Sequence, residues 1–203
     1  MKDKIFVVAT NNAHKLSEMQ TLLKGLGYDC MSLKQAGISI EIIESGSTFM
    51  QNALIKARAV RQLCDMPVIA DDSGLCVDAL GGAPGIFTAR YSKTGTSEAN
   101  MEKLLCELDR TPDGKRTARF VSCIAAVMCD GSVITARGTL EGFIGREKLG
   151  ENGFGYDPIF YLDSDLSLAQ LTDEQKNAIS HRGRALRHLA LKLRGIKKMR
   201  SIK

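Results

Sequence analysis

Residues 117–140 read TARFVSCIAAVMCDGSVITARGTL, which places two apolar, β-rich stretches on either side of Asp130-Gly131. An Asp-Gly pair between two such stretches is a strong signal for a β-hairpin. We therefore expect antiparallel strands over 117–129 and 133–140, because a hairpin reverses the direction of the chain.

Strand and helix patterns alternate upstream of this hairpin. Residues 5–10 form a short apolar run that predicts a strand, and a helical spacing of apolar residues follows it. Thr48, with Gln51 three residues later, forms a capping-box signal for a long helix over 49–64. Val68–Asp71 indicates a short buried strand. Helices and strands that mix in this way, with an antiparallel pair, predict an α/β fold with a mixed sheet.

The remaining pattern suggests a single domain over 1–203. No repeat, low-complexity tract or linker interrupts the chain, and residues 194–203 are a candidate flexible basic tail. Further elements are expected as follows: a strand near 28–33, a helix that Ser97 caps and that reaches Leu108, a strand around 159–161, and helices opened by Thr172 and Ser180.

The composition is that of an ordinary globular protein, because 44% of the 203 residues are hydrophobic and 25% are charged. The longest apolar run, Cys123–Cys129, is far too short to span a membrane, and the apolar run at 5–9 is too short for a signal peptide. The expected location is therefore the cytoplasm. The six cysteines contain no CxxC pair and the three histidines no zinc-binding spacing, so reduced core cysteines are expected.

Positive charge is concentrated at the carboxyl end. Residues 182–203 contain nine Lys or Arg and no acidic residue, although the whole chain carries only +5. Such a helix could neutralise the phosphates of a nucleic acid. It could equally be a solvated helix whose basic residues suit the negative end of its own dipole. No aromatic residue follows Tyr161, so stacking on bases is excluded there and the second interpretation is favoured.

The first segment that predicts chemistry is TNNAHK, residues 10–15, where the first strand gives way to a helix. Backbone N–H groups and the positive end of the helix dipole favour an anion at such a junction. Lys15 adds a charge that opposes the dipole unless an anion lies nearby. Alternatively, Asn11 or Asn12 merely caps the helix and Lys15 points to water.

Two adjacent carboxylates, Asp71 and Asp72, stand at the end of the buried strand predicted over Val68–Asp71. Buried carboxylates are costly without partners such as a cation, and strand alternation points the two side chains to opposite faces. Magnesium prefers carboxylate oxygens and keeps several waters, so a second ligand would have to come from elsewhere, and Glu44 is a suitable candidate. The alternative is that both aspartates cap a turn.

Two segments near the carboxyl end carry groups that suit a planar ligand. Glycines on either side of Phe154 would let such a ligand stack on the ring, with Asp157 accepting hydrogen bonds from a base edge. Lys176, His181 and Arg182 bring donors to a helix start, where an acceptor oxygen is favoured. The alternatives are a core ring and a capped helix with solvated basic residues.

One more cation is Lys56, which lies one turn after Asn52 on the long helix and either faces inward or lies at the surface.

Taken together, these groups suit a nucleoside triphosphate with a divalent metal. They comprise lysines, a carboxylate pair, a distant Glu, an aromatic ring on which a base can stack and a set of donors for an acceptor oxygen. In order and combination, the segments that carry them resemble the inosine/xanthosine triphosphate pyrophosphatase family over about 5–193. These segments are ATNNAHK (9–15), ESGSTFMQNA (44–53), IADDSGLCVDALGGAPGIFTARYS (69–92), GFGYDPIF (153–160) and EQKNAISHRGRAL (174–186).

The resemblance implies a fold and a reaction. The fold would be an elongated mixed β-sheet with flanking helices and two lobes around a central cleft, and the protein would be a cytoplasmic homodimer. The reaction would be Mg²⁺-dependent hydrolysis of dITP, ITP or XTP to a nucleoside monophosphate and pyrophosphate, which would remove these deaminated purine nucleotides from the pool. Neither a membrane nor a nucleic acid is expected as a partner.

The resemblance also implies a role for each matching residue. Asp72 would be the general base and, with Glu44, would hold the magnesium, while Lys15 and Lys56 would assist at the phosphates. The residues expected to bind substrate are Thr10, Asn11, Asn12, Ala13, His14 and Lys15 for the triphosphate, Ser73, and Phe154, Gly155, Tyr156, Asp157, Lys176, His181 and Arg182 for the nucleoside.

Two positions depart from the family pattern. Asn11 stands where many relatives have Gly, and it adds a side-chain donor to the expected phosphate loop. Gln51 replaces a frequent Glu without touching the expected chemistry. Two other functions stay open at this point: a pyrophosphatase for modified pyrimidine nucleotides, and a nucleic-acid-binding protein that uses the basic carboxyl-terminal helix.

Overall fold

The computed structural model describes residues 4–200, with side chains over 4–196. The helices are α1 (Ala13–Gly25), α2 (Phe49–Arg61), α3 (Ser97–Glu107), α4 (Asp173–Ile179) and α5 (His181–Arg200). The strands are β1 (Ile5–Val8), β2 (Asp29–Ser32), β3 (Val68–Val77), β4 (Thr117–Val127), β5 (Val133–Ile144), β6 (Phe160–Asp163) and β7 (Leu166–Ser167).

The strands form one seven-stranded mixed sheet in the order β2-β1-β3-β4-β5-β6-β7. β1 runs parallel to both β2 and β3, whereas β6 is antiparallel to β5 and to β7. The α/β class with a mixed sheet is therefore confirmed. Contacts divide the chain into two compact units, the first made of the residues up to Asp72, Ser122–Gly138 and those from Arg182 onward, the second of Ser73–Val121 and Thr139–His181.

In the first unit, helices cover both faces of the sheet. Along β3, Ile69 packs with residues of α1 and α5, while its neighbours Val68 and Ala70 pack with residues of α2. This alternation follows from the two-residue period of a strand. The buried side chains that define the two faces are Met19, Leu23, Leu186 and Leu189 on one, and Ala53, Ala57 and Val60 on the other.

The second unit has its own core, in which α3 supplies Met101 and Leu104 against side chains of β4, β5 and β6. Arg116, just before β4, is only 2% exposed, and its guanidinium forms hydrogen bonds within this unit. That group donates to the carbonyls of Leu108 (2.6 Å), Ile144 (2.7 Å) and Gly145 (2.8 Å). A single side chain thus donates to three carbonyl oxygens, one of which, that of Leu108, also accepts from the amide of Thr111 at 2.9 Å.

Several element boundaries differ from the sequence-based expectation. β3 continues to Val77 instead of ending at Asp71, so the two aspartates lie within a strand. The cap of α3 is Thr96, whose hydroxyl accepts from the amide of Ala99, one residue before the expected Ser97. The side chain of Gln51 accepts from the amide of Ser47, so the predicted capping box at α2 is only half formed, by Thr48.

The carboxyl-terminal helix α5 extends through residues 194–200. The side chains of 197–200 and the whole of 201–203 lie outside the described residues, so the tail expected over 194–203 is described only in part. No helix within residues 4–200 combines the length and apolar character that crossing a membrane requires.

Replacing Arg116 by Met should destabilise the protein by about 2–4 kcal/mol, because three carbonyls lose the hydrogen bond that the buried guanidinium donates. The measurement is the free energy of unfolding from urea denaturation. Arg119→Met is the matched control, since Arg119 forms partly exposed ion pairs with Asp78 and Glu141 that are worth less than about 1 kcal/mol. Equal losses for the two variants would contradict this account.

Candidate active site

The pairing of β1 with β3 places the two aspartates beside the end of β1. Val8 lies opposite Ile69, and the amide of Ala9 donates to the Ile69 carbonyl at 2.8 Å. The chain leaves β1 at this level and enters α1, so the start of the helix lies near the next residues of β3, Asp71 and Asp72. The carboxyl end of a strand in a parallel pair is a common place for a binding site.

Asp71 points to the face of the sheet that carries α1 and α5, and its side chain is completely buried. One carboxylate oxygen, Oδ1, accepts from the Ser122 hydroxyl at 2.5 Å. The other, Oδ2, lies 3.1 Å from Lys15 Nζ and 3.3 Å from Arg182 Nη2. The Arg182 guanidinium also pairs with Glu18 on α1.

Asp72 points to the other face, where α2 lies. Its Oδ1 accepts from Lys56 Nζ at 2.9 Å, and the same ammonium group donates to Glu44 Oε1 at 2.7 Å. The second oxygen of Asp72, Oδ2, is buried and has no hydrogen-bond partner among the residues that the structure describes. Separate partners for the adjacent aspartates are what the alternation of side chains along a strand predicts.

The two sets of charges are built differently. Lys15 and Arg182 both contact Asp71, whereas Lys56 lies between Glu44 and Asp72. A pair of carboxylates in which one buried oxygen, Asp72 Oδ2, has no hydrogen-bond partner among the described residues favours an added cation.

The pKa values of the two aspartates shift in opposite directions. Burial raises the pKa of Asp72 above its ordinary value, and the nearby Lys56 opposes that effect only in part. Burial would also raise the pKa of Asp71, but Arg182, Lys15 and the Ser122 hydroxyl outweigh it and hold that pKa below the usual range. Asp71 is therefore a fixed anion, and Asp72 is the more basic carboxylate of the two.

The two lysines are affected differently. Burial lowers the pKa of Lys15, which Asp71 offsets only partly. For Lys56, burial acts in the same direction, but Asp72 and Glu44 outweigh it and raise the pKa of the ammonium group. Lys56 is thus held as a cation between its two carboxylates.

The segment that carries Glu44 is fixed by the start of α2. The amide of Gly46 donates to Asn52 Oδ1 at 2.8 Å, and Asn52 is completely buried. A Cβ at position 46 would approach Asn52 Oδ1 to 2.6 Å, so only glycine fits without a shift. The amide thereby ties the loop to the same helix that supplies Lys56.

Residues 10–15 form the helix start that the sequence predicts. Asn12 is the N-cap of α1, with its Oδ1 accepting from the amide of Lys15 at 3.0 Å, and its own amide donates to the Thr10 hydroxyl at 3.2 Å. Lys15 turns inward to Asp71, so the expectation of a lysine pointing only to water does not hold. The side chains that remain exposed at this helix start are Asn11, Asn12, Ala13 and His14.

In the second unit, Asp157 and Lys176 form a buried ion pair of 2.8 Å. The same oxygen of Asp157, Oδ2, accepts from the amide of Phe154 at 2.8 Å, and Lys176 Nζ lies 4.6 Å from the centre of the Phe154 ring. These contacts fix both the loop and the plane of a half-buried aromatic ring. Gly153 adopts a φ of +78°, and a Cβ there would collide with Asp157 Oδ2.

The other residues expected around the nucleoside have varied surroundings. Tyr156 lies in the core of the second unit and donates its hydroxyl to the Thr88 carbonyl at 3.0 Å. His181 stacks on Phe120 with ring centres 4.9 Å apart. Ser73 is half-buried on β3, and Gly155, at a φ of +67°, follows Phe154. Arg182 belongs to the first unit, where it contacts Asp71 and Glu18.

Sequence reasoning missed three residues that hold this site together. Glu18 lies three residues after Lys15, a spacing that shares a helix face and could have been noticed. Ser122 is a polar residue inside the apolar run of β4, which is a recognisable signal for a buried partner. Asn52 carried no signal, because a mid-helix amide is equally compatible with exposure.

Comparisons with known proteins agree with one another. A sequence model of the Ham1 family matches residues 6–192. The chain is 45% identical to the dITP/XTP pyrophosphatase of Clostridium perfringens, covering 96% of this chain and 100% of the relative. It is also 45% identical to the dITP/XTP pyrophosphatase of Bacillus subtilis, covering 91% and 94% of the two chains.

Solved structures give the same result. The Ham1 protein of Staphylococcus aureus superposes with a TM-score of 0.83 at 42% identity, covering 95% of this chain and 99% of that one. A nucleoside-triphosphatase / dITP/XTP pyrophosphatase of Mycobacterium abscessus gives a TM-score of 0.73 at 43% identity, covering 91% and 98%. With matching sequence over nearly its whole length and the same fold, this chain belongs to the Ham1 family.

Proposed function

We propose that this protein hydrolyses the deaminated purine nucleoside triphosphates dITP, ITP and XTP to a nucleoside monophosphate and pyrophosphate. Relatives called dITP/XTP pyrophosphatases match more than nine-tenths of the chain. The observation that carries the proposal is the Asp72 carboxylate, which shares Lys56 with Glu44 and keeps one buried oxygen unpartnered within the described residues.

The groups around Asp72 fit a magnesium ion. Among the side chains that the structure describes, residues 4–196, no cluster of three or more His, Cys, Asp or Glu is suited to a metal. Magnesium, however, is usually bound through one or two carboxylates together with substrate phosphates and water. Glu44 and Asp72 would hold it here. When bound, the ion offsets phosphate charge and polarises the phosphoryl oxygens.

Asp72 is the proposed proton acceptor. Its pKa is raised by burial, so it is a better base than an exposed carboxylate, and Lys56 orients it through the 2.9 Å contact. The water loses a proton to Asp72 while its oxygen bonds to the α-phosphorus. The bond between the α-phosphorus and the bridging oxygen to the β-phosphorus then breaks, and pyrophosphate leaves. Lys15 at the start of α1 offsets charge on the phosphates.

Selectivity is proposed to depend on the oxygen at purine position six. Donors such as Arg182 or His181 would hydrogen-bond to a 6-oxo group, whereas the 6-amino group of adenine is itself a donor and offers them no acceptor. A site with buried donors can reject such an analogue by about 10⁴-fold. The base itself is proposed to stack on Phe154, whose ring is fixed by Lys176.

We also propose that the enzyme is a cytoplasmic homodimer, on the basis of the family resemblance. The nucleic-acid alternative gains no support from α5, since Lys192 donates to the Thr135 carbonyl at 2.7 Å and Arg194 to the Leu26 carbonyl at 3.3 Å. Two of its basic side chains therefore help to attach the helix to the first unit.

A substrate panel tests the reaction. With magnesium, dITP, ITP and XTP should release pyrophosphate at least about 100-fold faster than ATP, because adenine leaves a donor unsatisfied. Removal of magnesium with EDTA should abolish the reaction. In ¹⁸O-labelled water the label should appear in the nucleoside monophosphate. Label in pyrophosphate, or release of orthophosphate, would contradict attack at the α-phosphorus, and faster hydrolysis of modified pyrimidine nucleotides would favour the alternative substrate class.

Asp72→Asn should lower kcat for dITP by about 10²–10⁴-fold, the usual range for loss of a general base. The amide can still accept from Lys56, so the variant should fold, as checked by circular dichroism and cooperative thermal unfolding. Asp163→Asn, at an exposed position on β6, is the matched control and should keep full activity. An Asp72→Asn enzyme that turns over dITP at the wild-type rate would remove Asp72 from the role of base.

Phe154→Ala should raise KM for dITP by about tenfold and change kcat little, because stacking of a base on an aromatic ring contributes mainly to binding. Steady-state kinetics of pyrophosphate release provide both constants. Phe87→Ala is the control, since Phe87 is a 54% exposed ring in the same unit. If both substitutions change KM equally, Phe154 does not bind the base.

A further inference from the structure

The carboxylate of Asp71 is engaged on both oxygens. Oδ1 accepts from Ser122 Oγ at 2.5 Å, while Oδ2 faces Lys15 Nζ at 3.1 Å and Arg182 Nη2 at 3.3 Å. One oxygen therefore holds two cations from different helices, α1 and α5. Asp72, its neighbour, has one oxygen on Lys56 and the other unpartnered among the described residues.

Burial makes this arrangement depend on Asp71. The side chain of Lys15 is 17% exposed, whereas those of Arg182 and Asp71 are 2% and 0% exposed. Two like charges so close together repel each other strongly when little water screens them, and an opposite charge between them removes that repulsion. The lysine is the member of this group that reaches solvent, and the carboxylate fixes it from behind.

The Ser122 hydroxyl limits the freedom of the carboxylate itself. Ser122 is completely buried on β4, the strand next to β3. Its hydrogen bond to Oδ1 has the short donor–acceptor distance that is expected when the acceptor is charged. The hydroxyl thus determines which oxygen is presented to the two cations.

We propose that Asp71 is a positioning residue, whose carboxylate, oriented by Ser122, holds Lys15 and Arg182 in place for the substrate. This role rests on the proposed function, in which Lys15 contacts the phosphates. Asp71 differs in this from Asp72, because its oxygens are used to fix cations and not to hold the metal. Of the two adjacent aspartates, Asp71 therefore aligns the cations that contact the substrate, and Asp72 takes part in the chemistry.

A positioning role has a kinetic signature that a charge effect lacks. Loss of the Asp71 charge removes a negative group near the phosphates, so the ground-state affinity for a polyphosphate should stay the same or rise. Loss of alignment should instead lower kcat, because small displacements of a charge-stabilising group cost up to about 100-fold in rate. Binding and turnover are thus expected to move separately.

The test compares Asp71→Asn, Ser122→Ala and Lys15→Met, with each of the first two also combined with Lys15→Met. Asp71→Asn should lower kcat for dITP about 100-fold. Ser122→Ala, which keeps the charge, should lower it about threefold to tenfold, the effect of one lost hydrogen bond. Tripolyphosphate, measured by calorimetry, should bind both variants at least as tightly as it binds the wild type. In the Lys15→Met background, either change should have a much smaller effect.

A spectroscopic measurement covers the case in which dITP is not the substrate. The ion-paired ammonium of Lys15 should give a ¹H–¹⁵N cross-peak, assigned by its absence in Lys15→Met, that is lost in Asp71→Asn and weakened in Ser122→Ala. Ser167→Ala, at another completely buried serine whose hydroxyl donates to the Leu149 carbonyl, is the matched control and should change neither kinetics nor spectrum.

The outcomes separate the two proposals. A wild-type enzyme that ignores dITP while its Lys15 signal depends on Asp71 and Ser122 would end the proposed function and keep the positioning of Lys15. Normal kcat and an unchanged Lys15 signal in both variants would overturn the inference. Losses in kcat that simply add to that of Lys15→Met, or that match a weaker affinity for tripolyphosphate, would overturn it as well. If Asp71→Asn does not fold, Ser122→Ala decides between these outcomes.

Discussion

The site depends on the burial of two adjacent carboxylates in one strand. Neither Asp71 nor Asp72 could remain ionised at these positions without cations, and the fold supplies them from both faces of the sheet. On one face α1 and α5 bring Lys15 and Arg182, and on the other α2 brings Lys56. The same helices provide the apolar side chains that cover the sheet, so core packing and charge compensation have a common origin.

Much of this arrangement could be predicted from the sequence, because its signals are local. The apolar runs, the Asp-Gly turn and the cap at Thr172 indicate strands, hairpin and helix directly, and residues such as Lys15 and Asp72 stand at recognisable junctions. The strand order could not be read, since it depends on packing between distant segments. The length of β3 was underestimated, because charged residues inside a buried strand are compatible with that strand only once their partners are known.

The contacts of Asp71 are a second case in which distant residues decide. Arg182 and Ser122 are far from Asp71 in the sequence, and nothing in their neighbourhoods indicates a common partner. In the second unit, Asp157 is expected to accept hydrogen bonds from a base edge, and its Oδ2 in addition accepts from the Phe154 amide and from Lys176. Polar residues near a ligand pocket often serve first to fix other side chains, a role that spacing alone does not reveal.

The alternation of side chains along β3 has a consequence for how this protein can change. A slip of one residue in the pairing with β1 would expose Ile69 to the wrong helix and, at the same time, exchange the surroundings of the two aspartates. An insertion or deletion that shifts this register would therefore disturb the core and the site together. The hydrophobic interior and the two carboxylates thus jointly constrain the length of this strand.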